Sequence, residues 1–374
     1  MRKVLAVLLT AMMILAGCGR TDGPDDGKML VMTSFYPLYD LTVKIGGEHV
    51  RVQSMIPAGV DPHDWTYRSQ DIVNMTKAKL FIYNGAGFDD WWVDEMLGSL
   101  GARKPMTAVA SAGIELIKVR GTDEHQEKED AAHRSGHASD DRRAEAVHES
   151  DDVRRAGAAN EHEHQTEDES AAEREKAGHD TDHDAGLNEG HAHESTHRHG
   201  DTDPHVWLSP LSAIRMAENI KAALIAADPE HEAVYAANYA KLKLELERLH
   251  AEYEAVVREA ARREFVASHR AFAYLARDYG LTQLSVMGLT TESEPTSQDM
   301  KRIAQYIEEH NVKYILFEEL ASPEIAKTLA NDLGIELLPF HPIEGLTRQQ
   351  QADGEDYLSL MRHNLRSLRL ALAP

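Results

Sequence analysis

The chain has 374 residues, 42% of them hydrophobic, with 63 Asp/Glu against 40 Lys/Arg and a formal net charge of -23. That length suggests two domains with enough apolar content for real cores, and the acidity, without a basic stripe, argues against nucleic acid as a partner. A single cysteine, Cys18, excludes a disulfide within the chain.

Residues 1–17 read as a signal peptide. Arg2 and Lys3 precede an apolar run, Val4 to Ala16, that is too short for a stable membrane anchor. Leu15-Ala16-Gly17-Cys18 resembles a bacterial lipobox, in which cleavage before the cysteine leaves Cys18 to carry lipid. Residues 18–28, rich in Gly and Asp, read as a tether. The mature protein is therefore expected on the extracytoplasmic face of the cell membrane, at the surface or in the periplasm, held by lipid.

Residues 29–120 form a first α/β lobe by this reading. Met29 to Phe35 is a strand, Tyr36 to Ile45 a helix stopped by Gly46-Gly47, and Val50 to Ile56 a second strand running into the loop of His63. Ser69 to Ala78 is helical, Leu80 to Tyr83 a strand, and Asp89 to Leu100 a tryptophan-bearing helix. Met106 to Val109 and Ile114 to Ile117 finish the lobe. Residues 121–202 break the pattern. With Asp203 included they hold 25 Asp/Glu and 9 Lys/Arg, a net -16 that leaves only -7 for the rest of the chain. Their large apolar residues are Val147, Val153 and Leu187 alone, too few to offset the entropy of ordering, so disorder is expected. Twelve histidines lie here, several alternating, as in His191-x-His193 and His197-x-His199. Imidazoles mixed with carboxylates can capture metal loosely and in several arrangements.

Residues 203–228 bring a loop and a helix, Ser209 to Ala227, that complete the first lobe. Residues 229–263 are the linking element: Tyr235, Tyr239, Leu242, Leu246, Leu249, Tyr253 and Val257 recur at spacings of three and four, marking a helix packed across both lobes. Residues 264–374 repeat the βα alternation, with strands at Phe265 to Ser268, Gln283 to Met287, Lys313 to Glu318 and Glu336 to Phe340. Alternation of this kind predicts parallel sheets flanked by helices, that is, two compact α/β lobes joined by one long rigid helix.

The chemistry centres on a five-residue frame that occurs twice, Asp61-Pro62-His63-Asp64-Trp65 and Asp203-Pro204-His205-Val206-Trp207. Proline fixes its own φ and pushes the aspartate before it into an extended or turn conformation, so each imidazole projects from a stiff loop beside a bulky wall. His63 and His205 are thus candidate metal ligands. His269, at a strand-to-helix turn, becomes the third. A carboxylate is the natural fourth: Glu344 follows a strand, Glu318 and Glu319 are runners-up, and His341 is an alternative ligand or a supporting donor. Three imidazoles and one carboxylate suit a tetrahedral zinc site, and binding should weaken below about pH 6.5 as imidazoles take up protons.

These motifs resemble those of the solute-binding lipoproteins of zinc and manganese ABC transporters. The resemblance rests on Asp61-Pro62-His63, Asp203-Pro204-His205-Val206-Trp207-Leu208, Ser268-His269-Arg270-Ala271-Phe272 and Glu344-Gly345-Leu346, and runs from about Lys28 to the C-terminus apart from the insert. It implies two lobes on one long helix, a metal held between them, and a membrane permease as partner. Manganese members usually present Glu where His269 stands, so histidine there implies Zn2+ over Mn2+. The family implies a binding protein rather than an enzyme, and the chain is read as a monomer. Rival readings are a manganese-binding homologue, a metal-binding adhesin or zinc buffer, and a zinc hydrolase; no His-Glu-x-x-His helix supports the last.

Overall fold

Four short strands, Met29–Thr33 (β1), Val50–Ser54 (β2), Leu80–Tyr83 (β3) and Met106–Val109 (β4), build the first sheet in the order β2-β1-β3-β4. All its pairings are parallel. A second sheet repeats that layout with Glu264–Ala267 (β5), Thr282–Ser285 (β6), Tyr314–Phe317 (β7) and Glu336–Pro339 (β8), in the order β6-β5-β7-β8 and again parallel throughout. The computed structural model describes residues 27–62, 65–119, 202–288, 296–318 and 324–374. They fall in one compact unit of the chain; a second unit, Thr122–Thr196, lies outside the described residues.

Helices connect the strands. Tyr36–Gly46 (α1), Ser69–Met75 (α2) and Asp90–Leu100 (α3) belong to the first lobe, completed by Pro210–Ala227 (α4). Glu232–Glu259 (α5) links the lobes, burying Tyr235, Leu242, Leu246, Leu249, Tyr253, Val256 and Val257 along one face. Ala273–Tyr279 (α6), Ser297–Glu309 (α7), Glu324–Leu333 (α8), Arg348–Ala352 (α9) and Tyr357–Ala371 (α10) complete the second lobe. The linking helix is shorter than the expected 229–263. It begins after a turn of 3-10 helix at Pro229–His231 and ends at Ala260 without Gly or Pro. The chain is pulled off helical geometry there by tertiary contacts: Ala261 donates to the carbonyl of Leu372 at 3.1 Å and the Arg262 guanidinium to that of Asn311 at 3.1 Å.

Ile114 to Ile117 adds no strand. Gly113 takes a left-handed φ of +76°, and the segment's one bridge is the antiparallel pairing of Lys118 with Thr202. That bridge pairs the chain just before the acidic insert with the insert's last residue.

The lobes share a core. Strand side chains alternate faces, and β5 sends Phe265 and Ala267 into a cluster that runs through α5 into the first lobe, while Val266 faces a separate cluster with Ile303, Ile307 and Ile315. One face of the second sheet thus belongs to the same apolar interior as the first lobe. Tyr253 on α5 adds a polar tie, donating to the carbonyl of Met361 on α10 at 2.8 Å.

In each sheet the chain leaves a central strand to opposite sides, so β1/β3 and β5/β7 are the points where strand order reverses. Open α/β sheets bind ligands outside the carboxyl ends of strands at such points. His269 follows β5, and Glu318 follows β7.

Candidate metal centre

His269 and Glu318 sit side by side because the strands carrying them are neighbours. Ser268 donates its backbone N–H to the carbonyl of Leu316 at 2.8 Å, prolonging the β5/β7 pairing by one step. This brings His269 Nδ1 into direct contact with Glu318 Oε1. The Ser268 hydroxyl donates to the same carboxylate oxygen at 3.2 Å. Gln283 of β6 braces the turn from the other side, its amide donating to the His269 carbonyl at 2.7 Å and accepting from the Phe272 N–H at 3.0 Å. Nδ1 is therefore committed to a carboxylate, which directs Nε2 as the atom for a ligand or metal.

His205 is held in the same way by a partner two residues away. Asp203 Oδ1 accepts the backbone N–H of His205 at 2.9 Å and lies 3.0 Å from its Nδ1. The proline between them keeps this short loop rigid. Asn84, just beyond β3, donates its side-chain amide to the carbonyl of Pro204 at 3.1 Å, tying the loop to the switch point of the first sheet. Asn84 and Gly85 in turn donate their N–H groups to Asp89, at 2.7 and 2.8 Å. Burial pushes that carboxyl up to about 7, against the hydrogen bonds it accepts. Beyond His205, Trp207 is fully buried between Phe35 and Phe88, with ring centroids 4.7 and 5.2 Å away. Ser209 then caps α4, accepting from the N–H of Ser212.

Glu344 is presented by an irregular loop after β8. His341 is clipped at its base by Asn364 of α10, whose side chain accepts from the His341 N–H and donates to its carbonyl, both at 2.7 Å. Ile343 takes a φ of +56°, left-handed backbone that a β-branched residue adopts at a cost of about 1–3 kcal/mol. The loop is held against that cost by the Trp207 indole, which donates to the Pro342 carbonyl at 2.6 Å, and by burial of the Ile343 side chain.

The outcome is a convergent cluster. One ligand atom each from His205, His269 and Glu344 lies within 4.8 Å of the others, all three residues are buried, and no other such group occurs among the described residues. His205 Nε2 is 3.3 Å from Glu344 Oε1, and the two imidazole centroids are 5.4 Å apart. Burial opposes a charge on His205, but its hydrogen bonds to Asp203 and Glu344, and their negative charges, outweigh it and lift the imidazole to about 9. Two imidazoles and a carboxylate in a dry interior, each imidazole backed by a second carboxylate, suit a divalent transition metal such as zinc.

Of the other sequence candidates, Glu318 contacts His269 and is not one of the three clustered residues. His341 also stands apart from the cluster, with Gln350 Nε2 3.4 Å from its Nδ1. His63, Glu319 and Cys18 lie outside the described residues. Gly59, four residues before His63, donates to the carbonyl of Leu346, two residues after Glu344, at 2.8 Å. Sequence reading missed Asp203 as the group that orients His205. The available signal was its position two residues before a histidine across a proline.

Two parallel sheets on one long helix, with a buried His-His-Glu cluster, define a two-lobed α/β protein of the solute-binding class. The chain belongs to the family described as zinc-uptake complex component A, periplasmic, whose model matches residues 31–371. Among curated relatives, the high-affinity zinc uptake system protein ZnuA of Bacillus subtilis is 31% identical over 98% of this chain and 97% of its own length. The zinc-binding protein AdcA of Streptococcus pyogenes is 32% identical over 92% of this chain, which spans only 56% of that longer protein. Among solved structures, the Zn(II)-bound ZnuA-like domain of Streptococcus pneumoniae AdcA matches with a TM-score of 0.65 and 26% identity, over 93% of this chain and all of that one.

Proposed function

We propose that the protein captures zinc outside the cytoplasm and delivers it to an ABC-type permease in the cell membrane. The observation that carries this reading is the convergence of His205, His269 and Glu344 within 4.8 Å in a buried interior. His63, from the first Asp-Pro-His frame, is the fourth ligand in this reading, completing three imidazoles and one carboxylate. A site with four protein ligands has no open position for an activated water, which favours binding over hydrolysis. Histidine at 269 favours zinc over manganese. Cys18 carries a lipid that tethers the protein to the membrane. Among the described residues no helix is long and apolar enough to cross a membrane. The test is metal analysis and zinc titration of the purified protein, with and without residues 121–202. One tight zinc per chain is expected in both forms, and growth on limiting zinc should require the protein. Manganese bound in preference to zinc, or growth that is indifferent to the protein, would overturn transport of zinc.

A further inference from the structure

Beside the cluster, Tyr274 of α6 closes a ring of hydrogen bonds that spans the two lobes. The phenol accepts the backbone N–H of Ile117 at 3.0 Å and donates to the carbonyl of Asp203 at 2.7 Å. The ring is completed by the Asp203 N–H, which donates to the carbonyl of Ile117 at 2.8 Å. Ile117 and Asp203 flank the insert, one step outside the Lys118–Thr202 bridge. One hydroxyl from the second lobe therefore stitches both roots of the insert to each other and to the helix that follows His269.

The same helix makes two further contacts with the first lobe. Arg277 donates to the carbonyl of Glu115 at 2.8 Å, and Asp278 accepts from the hydroxyl of Ser209, four residues after His205. Tyr274 is fully buried, and burial lifts its phenol to about 12, so it stays a neutral donor at physiological pH. Asp203, whose carbonyl takes that bond, is the residue whose carboxylate orients His205. A rotation of Asp203 about its backbone would swing its carboxylate away from Nδ1.

Building on the zinc-site reading above, we propose that the Tyr274 hydroxyl is a positioning group for metal retention: it fixes the backbone of Asp203, and through it the orientation of His205. The clasp sits at the insert's root but does not depend on the insert's residues. Its natural effect is on release. A ligand whose orienting carboxylate is loosely held lets go of metal sooner, and losing an outer partner of a metal-bound histidine costs about 10–100-fold in affinity.

The test uses the full chain and two readouts. In metal-free protein, the His205 amide donates to Asp203 Oδ1, so its hydrogen exchange reports the orientation directly. Tyr274→Phe should accelerate that exchange at least severalfold. With zinc loaded, release into a chelator should speed up by about 10-fold or more in Tyr274→Phe. In an Asp203→Asn background the same substitution should add little, because both act through one contact. Tyr253→Phe, which removes a buried inter-element bond that involves neither Asp203 nor Tyr274, is the comparison: it should lower thermal stability without quickening zinc release. If Tyr274→Phe does not fold, Asp278→Asn loosens the same helix from Ser209 and should show the same pattern more weakly. Wild-type exchange and release in both α6 variants, additivity with Asp203→Asn, or equal acceleration in Tyr253→Phe would each overturn the proposal. Exchange is read without metal, so it judges the hydroxyl even if wild-type protein takes up no zinc, an outcome that instead sinks the zinc reading.

Discussion

The indole nitrogen of Trp207 donates to the carbonyl of Pro342 at 2.6 Å, joining the loop that carries His205 to the loop that carries Glu344. The tryptophan of the Asp-Pro-His-x-Trp frame is thus a tether as well as an apolar wall. It holds a backbone segment in which Ile343 occupies left-handed space. Trp207→Phe keeps most of the packing and strands a buried carbonyl, at a cost of about 1–3 kcal/mol. Thermal denaturation should register that loss, and zinc titration should show weaker binding because Glu344 is no longer held. Affinity equal to wild type would mean the loop is positioned without the indole.

Removal of a ligand should be far more damaging than loosening one. Structural zinc sites are worth about 10–16 kcal/mol, or roughly 3 kcal/mol for each of four ligands, so His205→Ala or His269→Ala should weaken binding about a hundredfold or more. His63→Ala should match them if the first frame supplies the remaining ligand. Glu344→Ala should lose less, since water can occupy a vacated position on zinc. Titration of the four variants with the insert removed ranks them, and wild-type affinity in the His205 variant would refute the site.

The carboxylates behind the imidazoles should show an intermediate effect. Asp203→Asn and Glu318→Gln each leave the ligand in place but weaken its orientation, with an expected loss of about 10–100-fold. Competitive chelation measures this. A loss for Glu318→Gln as large as that for His269→Ala would mark Glu318 as a ligand in its own right.

The pH response follows from His205. Its imidazole rises from an ordinary 6.5 to about 9 in the metal-free fold. A histidine raised on folding contributes stability that is fully present below pH 6.5 and is lost as pH climbs through 9. Metal-free protein should therefore lose this part of its stability between those limits. Zinc must displace the proton, so affinity should climb about tenfold per pH unit over the same window, with close to one proton released at pH 7.5. Calorimetry in buffers of different ionisation enthalpy counts that proton. An affinity flat from pH 6.5 to 8.5 would contradict a protonated His205.

Replacement of residues 121–202 by a short Gly/Ser linker should leave the tight site intact. The residues that remain on either side are already held together by the Asp203–Ile117 hydrogen bond and by Tyr274, which bonds both. Loop-closure entropy changes slowly with length, so shortening costs little. Weaker zinc equivalents should vanish with the twelve histidines of the insert. Loss of the tight equivalent on deletion would mean the insert supplies primary ligands.

The alternation of short apolar runs with helical periodicity was enough to read two parallel-sheet lobes and a linking helix, because strand and helix periods are local properties of the chain. His205, His269 and Glu344 were legible for a related reason: each follows a strand or stands in a proline-stiffened frame, and position within a βα unit tells which end of the sheet a residue occupies. What the chain order could not show was which groups face each other. Glu318 and His269 are 49 positions apart and meet only because β5 and β7 pair. Trp207 and Pro342, and Tyr274 and Asp203, meet only because the lobes close on a shared core. The protonation of His205 is likewise a tertiary property. His205 is raised by Asp203 and Glu344, and the second of these reaches it only through the fold. Backbone period is set by neighbours in the chain; hydrogen-bond partners, burial and charge are set by neighbours in space.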